Sequence, residues 1–111
     1  MYPDYHLPKP LRAAEFYLLL ALAKQDSHAY PLKGLIQNVS LGSVKLDDTQ
    51  LRRLIIKLGD EAFIEPAGSK PAGKSGRPRL HYALTEHGKL RLQAEIQRLA
   101  HALAVAKATA K

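Results

Sequence analysis

The segment Leu11–Lys24, LRAAEFYLLLALAK, constrains this chain more than any other. It is built of strong helix formers, and apolar residues occupy nearly every side of the implied helix. Such a helix cannot lie on a surface. It belongs in the middle of a core, or between a core and a partner subunit. Its most apolar stretch, Phe16 to Ala23, is far shorter than the roughly 20 residues of a membrane span. No basic n-region of an export signal precedes it, so a cytoplasmic protein with no membrane partner is expected.

The 111 residues suit one domain. No cysteine occurs, which excludes disulfides and thiolate metal sites. Seventeen Lys and Arg against ten Asp and Glu give a net charge of +7, which favours a polyanionic partner.

Residues 1–10 hold three prolines and read as an extended arm. After the apolar helix, Ser27 is placed to cap a second helix beginning near His28, with Pro31 in its first turn. Leu32, Leu35, Ile36 and Val39 form its apolar stripe, and Gly42 supplies a stop. A third helix, Asp48 to Glu61, starts at Asp47, whose spacing to Gln50 is that of a capping box. Leu51, Leu54, Ile55 and Leu58 make its stripe, Gly59 weakens its last turn, and Gln50, Arg52, Arg53, Ile56 and Lys57 lie on the other side.

Phe63–Ile64–Glu65 reads as a short strand and residues 66–78 as a loop. Residues 79–84 alternate, with Leu80, Tyr82 and Leu84 on the buried face. Thr85 caps a last helix, where Leu92, Ile96, Leu99, Leu103 and Ala106 mark a heptad seam. Some twenty residues of helix run about 30 Å, longer than so small a domain covers. Part of it is expected to meet a symmetry mate.

Gly68 to Ser75, GSKPAGKS, satisfies the P-loop pattern, but a strand pattern follows where that motif needs a helix. Five histidines are scattered without metal-binding spacing, and neither catalytic elbows nor dinucleotide fingerprints occur. The expectation is a protein that is not an enzyme and carries no cofactor or metal. What remains is a capped helix with Gln50, Arg52, Arg53 and Lys57 on its outer side, next to a loop bearing Lys70, Lys74, Arg77 and Arg79. Long donors opposite an apolar stripe suit a major groove, and a basic loop beside them suits the adjacent backbone. Two alternatives remain: a winged helix serving protein interaction, and an RNA binder, the latter disfavoured by the scarcity of aromatics in the basic region.

These residues also carry a family resemblance, over roughly residues 7–106. Ala14–Glu15–Phe16 leads into Leu18–Ala23. His28–Ala29–Tyr30 stands for a His-Gly-Tyr motif, and Leu51 and Phe63–Ile64–Glu65 fall at further family positions. Arg77–Pro78–Arg79 and Tyr82 through Gly88 are similar to an R-x-Y-x-L-T-x-x-G stretch. The chain resembles PadR-type transcriptional regulators, in the short subgroup with one C-terminal helix.

The resemblance implies a mainly α fold with a small β-hairpin (α+β). It would comprise an arm at 1–10, a winged helix-turn-helix domain at 11–85 and a dimerisation helix at 86–111. It implies a homodimeric repressor of double-stranded DNA, joined through the first and last helices at Phe16, Leu92, Ile96, Leu99 and Leu103. Members often respond to a small-molecule effector, for which Tyr5, Phe16 and Tyr17 are the candidate pocket residues. The chain departs from the family at Asp47–Asp48–Thr49–Gln50–Leu51–Arg52, where Gly-Pro-Gly-Thr-Leu-Tyr is common, and has Ala29 and Ala62 for glycine. Arg52 is a stronger phosphate donor than Tyr, whereas Asp47 and Asp48 set negative charge where a phosphate would approach.

Overall fold

Three helices, a hairpin and a long helix follow one another along the chain: α1 (Ala13–Lys24), α2 (Leu32–Val39), α3 (Asp48–Asp60), β1 (Ile64–Lys70), β2 (Arg79–Leu84) and α4 (Glu86–Thr109). The computed structural model describes residues 9–24, 32–70 and 79–110. Ser27, Pro31 and most of the N-terminal arm therefore lie outside the described residues.

Helix α1 is central, as its composition demands. Leu18, Leu19, Ala21 and Leu22 are buried, and Phe16, Tyr17 and Leu20 pack half-buried around them. Ile36 of α2, Leu58 of α3, Ile64 of β1 and Leu92 of α4 complete the core. Every element but β2 thus gives at least one side chain to a single apolar cluster, and β2 packs Tyr82 and Leu84 against it.

Both short helices stop in the same unusual way. At the end of α2 the Gly42 amide donates to the Gln37 carbonyl at 2.8 Å and the Leu41 amide to that of Asn38 at 3.1 Å. At the end of α3 the Phe63 amide donates to Leu58 at 2.9 Å and the Ala62 amide to Gly59 at 2.9 Å. Each pair satisfies helix carbonyls in the Schellman pattern, which needs a left-handed residue just past the cap. Glycine usually fills that place, but here Leu41 (φ 54°) and Ala62 (φ 64°) do. Gly42 follows one residue later, also left-handed (φ 80°). It contributes to the stop, but the residue that turns the chain is Leu41. Despite Gly59, α3 keeps its last turn to Asp60, because these bonds close its end.

The hairpin differs from expectation in length. Strand β1 starts at Ile64 and runs on to Lys70, through residues whose proline and glycine content reads as loop. Its pairing with β2 is antiparallel, Ile64 opposite Leu84 and Pro66 opposite Tyr82, then shifts by one residue before Ser69 meets Leu80. The bulge and the absence of further strands among the described residues explain the tolerance of Pro66, since proline survives in sheets at bulges and edges. The alternation of β2 is also imperfect. Tyr82 and Leu84 pack half-buried on the core, yet His81, expected on the open face, is buried as well.

Thr85 locks the hairpin and α3 to α4. Its hydroxyl donates to the Ala62 carbonyl at 2.6 Å and accepts from the Gly88 amide at 2.9 Å, and its amide donates to the Phe63 carbonyl at 3.0 Å. The helix start lies so close to Phe63 that a Cβ on Gly88 would sit 2.0 Å from that carbonyl oxygen. The L-T-x-x-G stretch is the sequence trace of this junction.

Helix α4 spans about 36 Å at 1.5 Å per residue. It gives the molecule a radius of gyration of 16.1 Å, against about 13 Å for a compact domain near this length. From Ile96 to Ala110 every residue is exposed.

Candidate nucleic-acid interface

Helix α3 presents its outer face on a firmly held frame. The Asp47 carboxylate accepts from the Gln50 amide at 2.7 Å, and the Gln50 side-chain oxygen accepts from the Asp47 amide at 2.9 Å, so both halves of the capping box form. Gln50 is therefore committed, through its oxygen, to the helix end.

Asp48 is paired as well. Lys33, on α2, donates to it at 2.6 Å. That hydrogen bond, the Lys33 charge and the nearby charge of Arg52 hold the Asp48 carboxyl below the usual range. Asp47 thus serves as the cap, and Asp48 is paired with a lysine fifteen positions upstream.

Lys57 is occupied from the inside. Its ammonium donates to Glu15 at 2.7 Å and to Glu61 at 3.3 Å, tying α3 to α1. Glu15 is buried and also accepts from the Arg12 amide at 2.8 Å. Burial pushes the Glu15 carboxyl up, but the Lys57 and Arg12 hydrogen bonds and charges outweigh it and leave the group below its ordinary value. The Glu15 and Glu61 hydrogen bonds raise Lys57 in turn. Lys57 is first a strut between helices.

The predicted basic set therefore divides. Arg53 is exposed and makes no hydrogen bond or ion pair among the described residues, and exposed Arg52 has the Asp48 charge near it. Together with Thr49 and Ile56, at helical spacings, they form the outward face of α3. Gln50, Arg53 and Lys57 turn toward the start of α1, where with Arg12 and Glu15 they line a shallow cleft of about 260 Å³. Arg12, Lys33 and Thr49 escaped the sequence reading. Arg12 lies outside this helix, just before α1, Lys33 acts only through its pairing, and Thr49 carries no charge. On the hairpin, Lys70 and Arg79 stand opposite each other at the last described pair, while Lys74 and Arg77 lie outside the described residues.

The expected dimer seam also divides. Leu92 is 5% exposed and belongs to the domain's own core. Phe16 is half-buried on that core, edge-on to Tyr17 at 5.2 Å. Ile96, Leu99 and Leu103 remain exposed on α4. An apolar cleft of about 430 Å³ opens between α1, β2 and α4, lined by Leu22, Ala23, Ala83, Leu84, Lys89, Leu92 and Gln93. Neither Phe16 nor Tyr17 lines it, and Tyr5 lies outside the described residues.

Several solved structures share this arrangement. A PadR-like transcriptional regulator from Bacillus cereus superposes with a TM-score of 0.68 at 18% identity, over 87% of this chain and 90% of that one. The chain has the PadR-like winged-helix fold. A transcriptional regulator from Clostridium thermocellum matches at 0.65 with 18% identity, over 87% and 92% of the two chains. One from Streptococcus matches at 0.64 with 16% identity, over 87% and 91%. No protein-family model and no curated protein matches the sequence. In the PadR-like fold, α2 and α3 are the helix-turn-helix, β1 and β2 the wing, and α4 the C-terminal helix. Among the described residues, no group of three or more His, Asp or Glu is placed to hold a metal, and no helix is long and apolar enough to cross a membrane.

Proposed function

We propose that the protein is a double-stranded DNA-binding transcriptional regulator that acts as a homodimer and represses by occupying its operator. The observation that carries this reading is the outward face of α3, where Arg52 and Arg53 project unburied from a helix fixed at both ends. A rigid helix with long donors opposite its apolar stripe meets the steric and chemical demands of a major groove. The wing, with Lys70, Lys74, Arg77 and Arg79, supplies charge for the flanking backbone. Two exposed seams at Ile96, Leu99 and Leu103, one from each copy, would bury each other and set two recognition helices for half-sites about 34 Å apart.

The test is binding to the DNA upstream of the protein's own gene against scrambled duplex, over a salt series. Specific binding is expected at physiological salt. Lys74→Ala and Arg77→Ala should weaken both duplexes alike and flatten the salt slope by about 1 per lost phosphate contact. Arg53→Ala should instead reduce discrimination, by about 1–3 kcal/mol if a base contact is lost. Equal affinity of the wild-type protein for both duplexes would overturn specific operator recognition.

A further inference from the structure

The core stripe of α3 is complete without Ile56, since Leu51, Leu54, Ile55 and Leu58 all pack on the domain's own apolar cluster. Ile56 points the other way and is 56% exposed. A lone exposed apolar side chain is ordinary on a protein surface. Its position is not ordinary. Ile56 follows Thr49 by seven residues and Arg52 by four, so it lies within the very face whose other members are a hydroxyl and two guanidinium groups. It adds nothing to the fold, and as a β-branched residue it is a poorer helix former than the Leu, Lys or Gln used elsewhere on α3.

The helix that carries it is also held still. The capping box fixes its start, Lys33–Asp48 ties it to α2, and Lys57–Glu15 ties it to α1. An apolar side chain on a rigid groove-facing helix has one apolar feature to meet among base-pair edges, the thymine 5-methyl group. Resting on the DNA-binding reading above, we infer that Ile56 is a specificity-determining residue that reads a thymine methyl in each half-site, between base or phosphate contacts made by Arg52 and Arg53.

The test begins with selection of sites from a random duplex pool by the wild-type protein at physiological salt. Each thymine of the enriched site is then replaced singly by deoxyuridine, which removes only the methyl group. One thymine per half-site is expected to lose about threefold to tenfold in affinity on replacement. Ile56→Ala should bind the thymine site as weakly as wild type binds the deoxyuridine site and should no longer distinguish the two. Ile56→Val should retain part of the difference. Because Ile56 lies outside the core, unchanged helicity and unfolding midpoint serve as the control for both variants. A defined enriched site that tolerates deoxyuridine everywhere would overturn the role of Ile56 while leaving operator recognition standing. Enrichment of no sequence at all would overturn both.

Discussion

The two halves of α4 belong to one continuous helix but meet opposite surroundings. In residues 86–95, Gly88 lies against the Phe63 carbonyl, Leu92 enters the core, and Glu95 is 2% exposed. Glu95 accepts from Arg98, with Nε at 3.2 Å, and pairs with Arg91 at 3.7 Å, while Arg91 also donates to the Lys9 carbonyl. In residues 96–109 nothing is buried, although Ile96, Leu99, Leu103 and Val105 are as apolar as anything in the core. The contrast shows what a helical pattern does and does not specify. Periodicity specifies an apolar face, and the tertiary structure decides whether the same chain covers it. The first half nucleates and anchors the helix, which lets an alanine-rich second half persist beyond the domain, where a short isolated helix would be marginal.

The sharpest way to break this contrast is Gly88→Ala. A methyl group cannot share space with the Phe63 oxygen, so the junction must open, at about 3 kcal/mol or more of stability in denaturant unfolding. The opposite half should respond in another currency. Leu99→Glu is expected to leave far-UV helicity and the unfolding midpoint near wild type while giving a monomer by light scattering. Specific DNA binding should fall at least tenfold, about 1.4 kcal/mol. A wild-type protein that is monomeric at micromolar concentration would remove the seam from the account altogether.

Acid separates the halves next. Arg98 hydrogen bonding lowers the Glu95 carboxyl, against the opposing effect of burial and with help from the Leu11 amide; Glu15 is lowered as well. A carboxyl depressed in the folded state contributes stability that is fully present above its unfolded value, near 4.5, and is lost as pH falls through the folded value. Stability should therefore decline below about pH 4.5, and Glu95→Gln should flatten that decline. The segment 96–109 contains no carboxylate of its own and enters this loss only through Arg98, the partner of Glu95. The smallest effect expected is a gain. Ala62→Gly relieves a left-handed alanine at the junction beneath Thr85 and should stabilise by about 0.5–1 kcal/mol, less than the strain removed because glycine is freer in the unfolded chain.

Local signals in the chain proved readable wherever the relevant partner lay within one or two helical turns. The Asp47–Gln50 box, the stripe Leu51–Leu58, the Thr85 cap and the exposed Arg52 and Arg53 all follow from spacings of a few residues, because a helix brings those positions together whatever surrounds it. The sequence also determined that a hairpin and a long last helix would follow three shorter ones. Only the tertiary structure decided that Lys33 neutralises Asp48, that Lys57 braces Glu15, and that Leu92 is core while Leu99 is not. It likewise decided that His81 is buried and that β1 continues past Pro66. Each of these depends on elements distant in sequence coming into contact. A heptad seam reads the same at Leu92 and at Leu99; the physical difference is that α1 packs against the first and ends its reach before the second.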